Sequence, residues 1–141
     1  MATIELSSAQ LNHLLELVYL GEWMRQAYTT DTYNVELEDL EQKLYAIAYN
    51  EGLDESVEYD KKLGGYVPSE ELEASCDEYI DVYDDQTFWE ELIIRMAQNK
   101  LEMHTEVMPG TKEYEKLQET YITEFGNEFK EHGLERVKIQ K

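Results

Sequence analysis

The chain has 141 residues, enough for one core, and its 32 Asp plus Glu against 12 Lys plus Arg leave a formal net charge of -20. Such an acidic surface disfavours nucleic acid and anionic membranes, both of which call for clustered Lys and Arg, and favours cations and basic proteins as partners. A hydrophobic share of 42% with 11 tyrosines argues against disorder, and the single cysteine, Cys76, excludes an internal disulfide or a multi-cysteine metal site.

The N-terminal segment has no basic stretch, and the longest strongly apolar uncharged run of the first helical segment, Leu17 to Gly21, lies between Glu16 and Glu22. Neither a secretion signal nor a membrane span is expected, and the cytoplasm is the expected location. Leu11, Leu14, Leu15, Val18, Trp23 and Ala27 recur at helical spacing after Ser7 and Ser8, which are N-cap residues, so a first helix is expected to end near Tyr28. Thr29, Thr30, Asp31 and Thr32 then break the pattern.

Asn34 is the expected N-cap of a second helix over about 35–51, with acids in its first turn, a stripe of Leu37, Leu40, Leu44, Ile47 and Ala48, and Gly52 beyond its end. From 54 to 68 the period is lost. Two glycines, a proline and the alternation at Val57 and Tyr59 predict a Gly-rich loop or short hairpin there, with a half boundary inside it. Ser69 opens a third helix through Leu72, Cys76, Tyr79, Ile80 and Tyr83, which Asp84, Asp85 and Thr87 are expected to interrupt.

A fourth helix follows from about Phe88, through Leu92, Ile93, Met96, Ala97 and Leu101, and fades before Pro109-Gly110. Thr111 caps a fifth, with Tyr114, Leu117, Tyr121, Phe125 and Phe129 inward and Gly133 at its end; the tail from Leu134 to Ile139 alternates weakly. The expected fold is a single all-α domain, a bundle of about five helices. The similar runs 36–42 and 113–119, each within a helix that ends in Gly-Leu, allow two pseudo-symmetric hairpins.

The three histidines lack metal-site spacing, because Gln10, Leu101 and Phe129 precede His13, His104 and His132 by three residues where a carboxylate is required. Glu128 and His132 lie one turn apart, at a helix end where a histidine interacts favourably with the dipole. The acids from Asp77 to Asp85 do not form a calcium loop, since no glycine stands at the sixth position and Leu92 stands at the twelfth counted from Asp81. Cys76 falls on an apolar stripe among acids, the setting of an inert thiol. Phosphate-loop, nucleophile-elbow and dinucleotide motifs are missing, so no cofactor is expected and the reading leans away from an enzyme.

Glu38-x-x-Glu41 and Glu78-Tyr79-Ile80-Asp81 resemble the carboxylate pattern of all-helical nucleotide pyrophosphatases of the MazG type, near Glu-Glu-x-x-Glu followed by Glu-x-x-Asp. That resemblance implies magnesium held between two helices, with Glu78 and Asp81 as metal ligands. The chain departs from the pattern in having no complete Glu-Glu-x-x-Glu shortly before Glu78. In size, charge and helical content it also resembles small acidic anti-restriction and nuclease-inhibitor proteins, which implies mimicry of nucleic acid toward a basic partner.

Aromatic residues supply a third reading. Tyr19, Trp23, Tyr28 and Tyr33 cluster around the first hairpin, Tyr45 and Tyr49 lie one turn apart, and Tyr83 and Trp89 follow. Tyr and Trp anchor protein interfaces, so Tyr19, Trp23, Tyr45, Tyr49, Tyr83 and Trp89 are the interface candidates of a protein-interaction or regulatory module, a homodimer among its forms.

Overall fold

The computed structural model describes residues 1–28, 34–104 and 106–139. It is mostly helical, with four helices and one two-stranded antiparallel sheet among these residues, and it divides into two compact units, 1–81 and 82–141. The loop expected to carry the half boundary lies inside the first unit. Residues 29–33, including Tyr33, lie outside the described residues.

In the first unit, α1 (Ser8–Gln26) starts from a capping box: the Ser7 hydroxyl accepts from the Gln10 amide, and the Gln10 side chain accepts from the Ser7 amide. Helix α2 (Val35–Asn50) is capped by Asn34 as expected, its side chain accepting from the Leu37 amide. Strands β1 (Val57–Asp60) and β2 (Gly65–Pro68) pair with Val57 opposite Pro68 and Asp60 opposite Gly65. The Asp60 carboxylate accepts from the Lys62 and Leu63 amides at 2.6 and 3.2 Å, which fixes the turn, and Gly64 takes the positive φ of 69° that the turn requires.

The core of this unit joins Leu11 and Leu15 of α1 to Tyr45 and Ala48 of α2, Val57 of β1, and Leu72 and Cys76. Full burial of one such side chain contributes about 1.5–3 kcal/mol. Leu40 and Ile47, expected inward, are half exposed, while Tyr45 is buried. The inward stripe of α2 is therefore rotated toward Tyr45 and Ala48.

Ser69 is buried; its hydroxyl donates to the Glu55 carbonyl at 2.6 Å and accepts from the Leu72 amide at 3.2 Å, opening α3 (Glu70–Glu102). This helix is one element of 33 residues, where the sequence predicted two. Asp84, Asp85 and Thr87 do not interrupt it, because each costs a few tenths of a kcal/mol in an established helix whereas restarting one requires a fresh nucleus. Among the described residues the five-helix count is corrected to four.

In the second unit, the C-terminal part of α3 packs on α4 (Lys112–His132), which Thr111 caps and Gly133, at a φ of 54°, ends. The two run antiparallel, since Trp89 meets Phe129 while Lys100 meets Glu124. Ala97, Leu101 and Tyr121 form its buried centre, with Tyr114, Leu117, Ile122 and Phe125 against it. The tail after Gly133 forms turns and no strand among the described residues.

Charge divides unevenly between the units. The first carries 19 acids against 4 bases, a net -15; the second carries 13 against 8, a net -5.

Candidate interaction surfaces

Two apolar grooves lie side by side on the second unit and share Phe129. The larger, about 410 Å³, has Met96, Phe125, Phe129 and Val137 as its apolar lining. Its carboxylates are already engaged: Glu128 with Arg136 at 3.1 Å and Glu124 with Lys100 at 2.6 Å. Gly133 and Lys138 complete the lining. The smaller, about 240 Å³, is lined by Trp89, Ile93, Gly126, Phe129 and Lys130.

Trp89 is tilted against Phe129 with centroids 6.0 Å apart and meets the half-exposed Phe88 edge-on at 5.1 Å. Phe125 and Phe129, one turn apart on α4, are stacked at 6.1 Å. Gly126 keeps the smaller groove open, for a Cβ there would sit 3.9 Å from Ile93 Cδ1. Among the described residues Lys130 and Lys138 form no ion pair, so the uncompensated side chains of these grooves are cationic on a chain of net charge -20.

Beside them lies a relay with no counterpart among the sequence expectations. Glu106 Oε1 is 2.9 Å from His104 Nδ1, and His104 Nε2 is 2.7 Å from the hydroxyl of buried Tyr121. A carboxylate requires a donor, so the imidazole proton belongs on Nδ1 and Nε2 accepts from the phenol. The hydrogen bond from His104 holds Glu106 below the usual carboxylate range. Lys100 Nζ lies 4.4 Å from the centroid of the Tyr121 ring, a cation–π contact that adds to its pair with Glu124. Neither groove includes Tyr121 or His104 in its lining, and the relay ties His104 and Glu106 to α4. His104 and Tyr121 are 17 residues apart, and no local pattern in the sequence announces their meeting.

In the first unit, Glu41 is half-buried and accepts from the Tyr45 hydroxyl at 3.0 Å. Burial pushes its carboxyl above the usual range, the Tyr45 hydrogen bond opposes this, and the charges of Glu22 and Glu38 add to it. Glu22 itself accepts from Gln26 Nε2 at 2.5 Å. Burial also pushes the Cys76 thiol up to about 11, with Glu16 and Asp77 adding to the effect, so this residue is a poor nucleophile.

The interface candidates separate into classes. Tyr45 is 1% exposed, with its hydroxyl pKa raised chiefly by burial; it belongs to the core, which corrects its reading as an interface anchor. Tyr19 is half-buried against the same core, where burial and the nearby Glu73 and Asp77 charges raise its pKa. Trp23 is also half-buried. Tyr49 is exposed and tilted on Tyr66 at 5.4 Å, and Tyr59 meets Tyr66 edge-on at 5.1 Å. Tyr83 is exposed on α3, and Trp89 lines the smaller groove.

Glu78 and Asp81 are both exposed on α3, and among the described residues no three His, Cys, Asp or Glu side chains converge to hold a metal ion. Glu128 reaches Arg136, while His132 lies 3.7 Å from Glu131. No described helix is long and apolar enough to cross a membrane. No protein-family model, curated protein or solved structure matches this chain.

Proposed function

We propose that this chain is a non-catalytic protein-interaction module that docks through the adjoining grooves of its second unit. The observation that carries this reading is the groove-lining aromatic set of a two-helix layer, half-buried Trp89 and Phe125 over buried Phe129. One side of such a layer buries the few residues between the helices and the other needs a further layer. Aromatic anchors in a groove with a charged rim have the make-up of a binding hot spot.

The test fills the groove without touching the core. Gly126→Leu places a side chain in the smaller groove, and loss of partner capture with unchanged helical circular dichroism is expected. Capture that persists at wild-type strength overturns the use of this face. A second reading, a basic partner held by the first unit in the manner of a nucleic-acid mimic, draws support from the concentration of charge there, -15 of the total -20. It requires capture that survives groove filling and is released by salt.

A further inference from the structure

The partner of the grooves can be taken further, on the premise that they are the docking face. Their chemistry calls for an apolar ridge accompanied by carboxylates, because the floor is aromatic and aliphatic and Lys130 and Lys138 are uncompensated. Such a ridge exists on the chain itself. On α3, Tyr79, Val82 and Tyr83 are 61%, 58% and 54% exposed. Their spacing of three and four residues sets them on one helix face.

Glu78 and Asp85, seven residues apart and both exposed, border one side of that stripe about 10 Å from each other along the axis. Exposed tyrosines beside carboxylates match an aromatic groove beside lysines in both respects, shape class and charge sign. We infer that a second copy of this chain docks head to tail, the Tyr79–Val82–Tyr83 ridge of one copy entering the Phe129 grooves of the next, with Glu78 and Asp85 facing Lys130 and Lys138. A head-to-tail contact is heterologous and leaves each copy one free end, whereas the same ridge and groove pairing twice about a two-fold axis stops at two chains. The net charge of -20 opposes association at low salt, while at about 0.15 M salt repulsion beyond about 8 Å is screened and the local pairing decides.

Sedimentation equilibrium on the full chain at that salt tests this with two folded variants, a ridge variant Tyr79→Ser with Tyr83→Ser and a groove variant Lys130→Glu with Lys138→Glu. All four positions are exposed, so neither variant threatens the core, and circular dichroism checks this. The wild type is expected to grow past two chain masses with concentration. Each variant alone weakens self-association by at least about tenfold. An equimolar mixture of the two restores a two-chain species, through the intact groove of one and the intact ridge of the other. Variants that dimerise alone as the wild type does, or a mixture that fails to associate, overturn the head-to-tail contact. If the wild type stays at its 16.6 kDa monomer mass up to roughly 1 mM, the inference also falls. In that event the docking reading stands if a lysate protein is captured by the wild type and lost on Lys130→Glu with Lys138→Glu, and falls too if nothing is captured.

Discussion

At the scale of single residues, a few specific polar contacts hold the fold. Glu41 resists ionisation because it is half-buried beside Glu22 and Glu38, so its folded-state pKa lies above the unfolded one. The stability associated with protonated Glu41 is complete below the unfolded carboxylate range and is lost as pH rises through the folded value. Glu41→Gln keeps an acceptor for Tyr45 and removes the charge. It should raise the neutral-pH melting temperature and flatten the stability profile above the ordinary carboxylate range, as followed by thermal denaturation. Gln42 satisfies both backbone groups of Tyr66, donating to its carbonyl at 2.6 Å and accepting from its amide at 2.9 Å, in the manner of a third strand. Gly65 leaves room for this arrangement, since a Cβ there would sit 2.8 Å from the Gln42 oxygen and would push that side chain aside. Gln42→Ala strands two backbone groups and should cost about 1–3 kcal/mol in denaturant unfolding, with faster hydrogen exchange at Tyr66. Neither arrangement was legible in the sequence, because each depends on a neighbour brought in by tertiary structure.

At the scale of elements, caps and punctuation were the legible part. Ser7, Asn34, Ser69 and Thr111 all accept from backbone amides at helix starts, and Gly52 and Gly133 take positive φ past helix ends. Apolar spacing was less decisive. On α2 the expected stripe of Leu37, Leu40, Leu44, Ile47 and Ala48 has a helical period, but packing turns the buried side toward Tyr45 and Ala48, which share one core with Leu11 and Leu15. Tyr45 has the polar hydroxyl of a surface anchor, yet Glu41 satisfies that hydroxyl and releases the ring to the core. The spacing of the groove residues Phe125 and Phe129 marks them as core, correctly for their inward edges; that they also line grooves follows from the absence of a third helix over this layer among the described residues of the unit. Gly21 stands inside α1, and a methyl group added there would meet nothing within 4 Å. Gly21→Ala should stabilise by about 1 kcal/mol, a rise in melting temperature measurable by circular dichroism.

At the scale of the whole molecule, the uneven charge implies uneven sensitivity to salt. The first unit, at -15, gains more from screening than the second, at -5. Raising ionic strength from about 0.01 to 0.15 M should therefore slow hydrogen exchange more at Leu15 and Ala48 than at Leu101 and Tyr121. Helix α3 crosses the boundary between the units, and from Asp81 to Gln86 every one of its side chains is exposed. None of the side chains of that stretch is buried, and Asp81 stands three and four residues from Asp84 and Asp85, spacings at which like charges cost a few tenths of a kcal/mol each. It is thus the part of the helix where opening requires no core contact to be broken, and a protease specific for acidic residues should nick it first, leaving fragments of about 80 and 60 residues in early time points. The same carboxylates that give the chain its charge thereby mark where it comes apart.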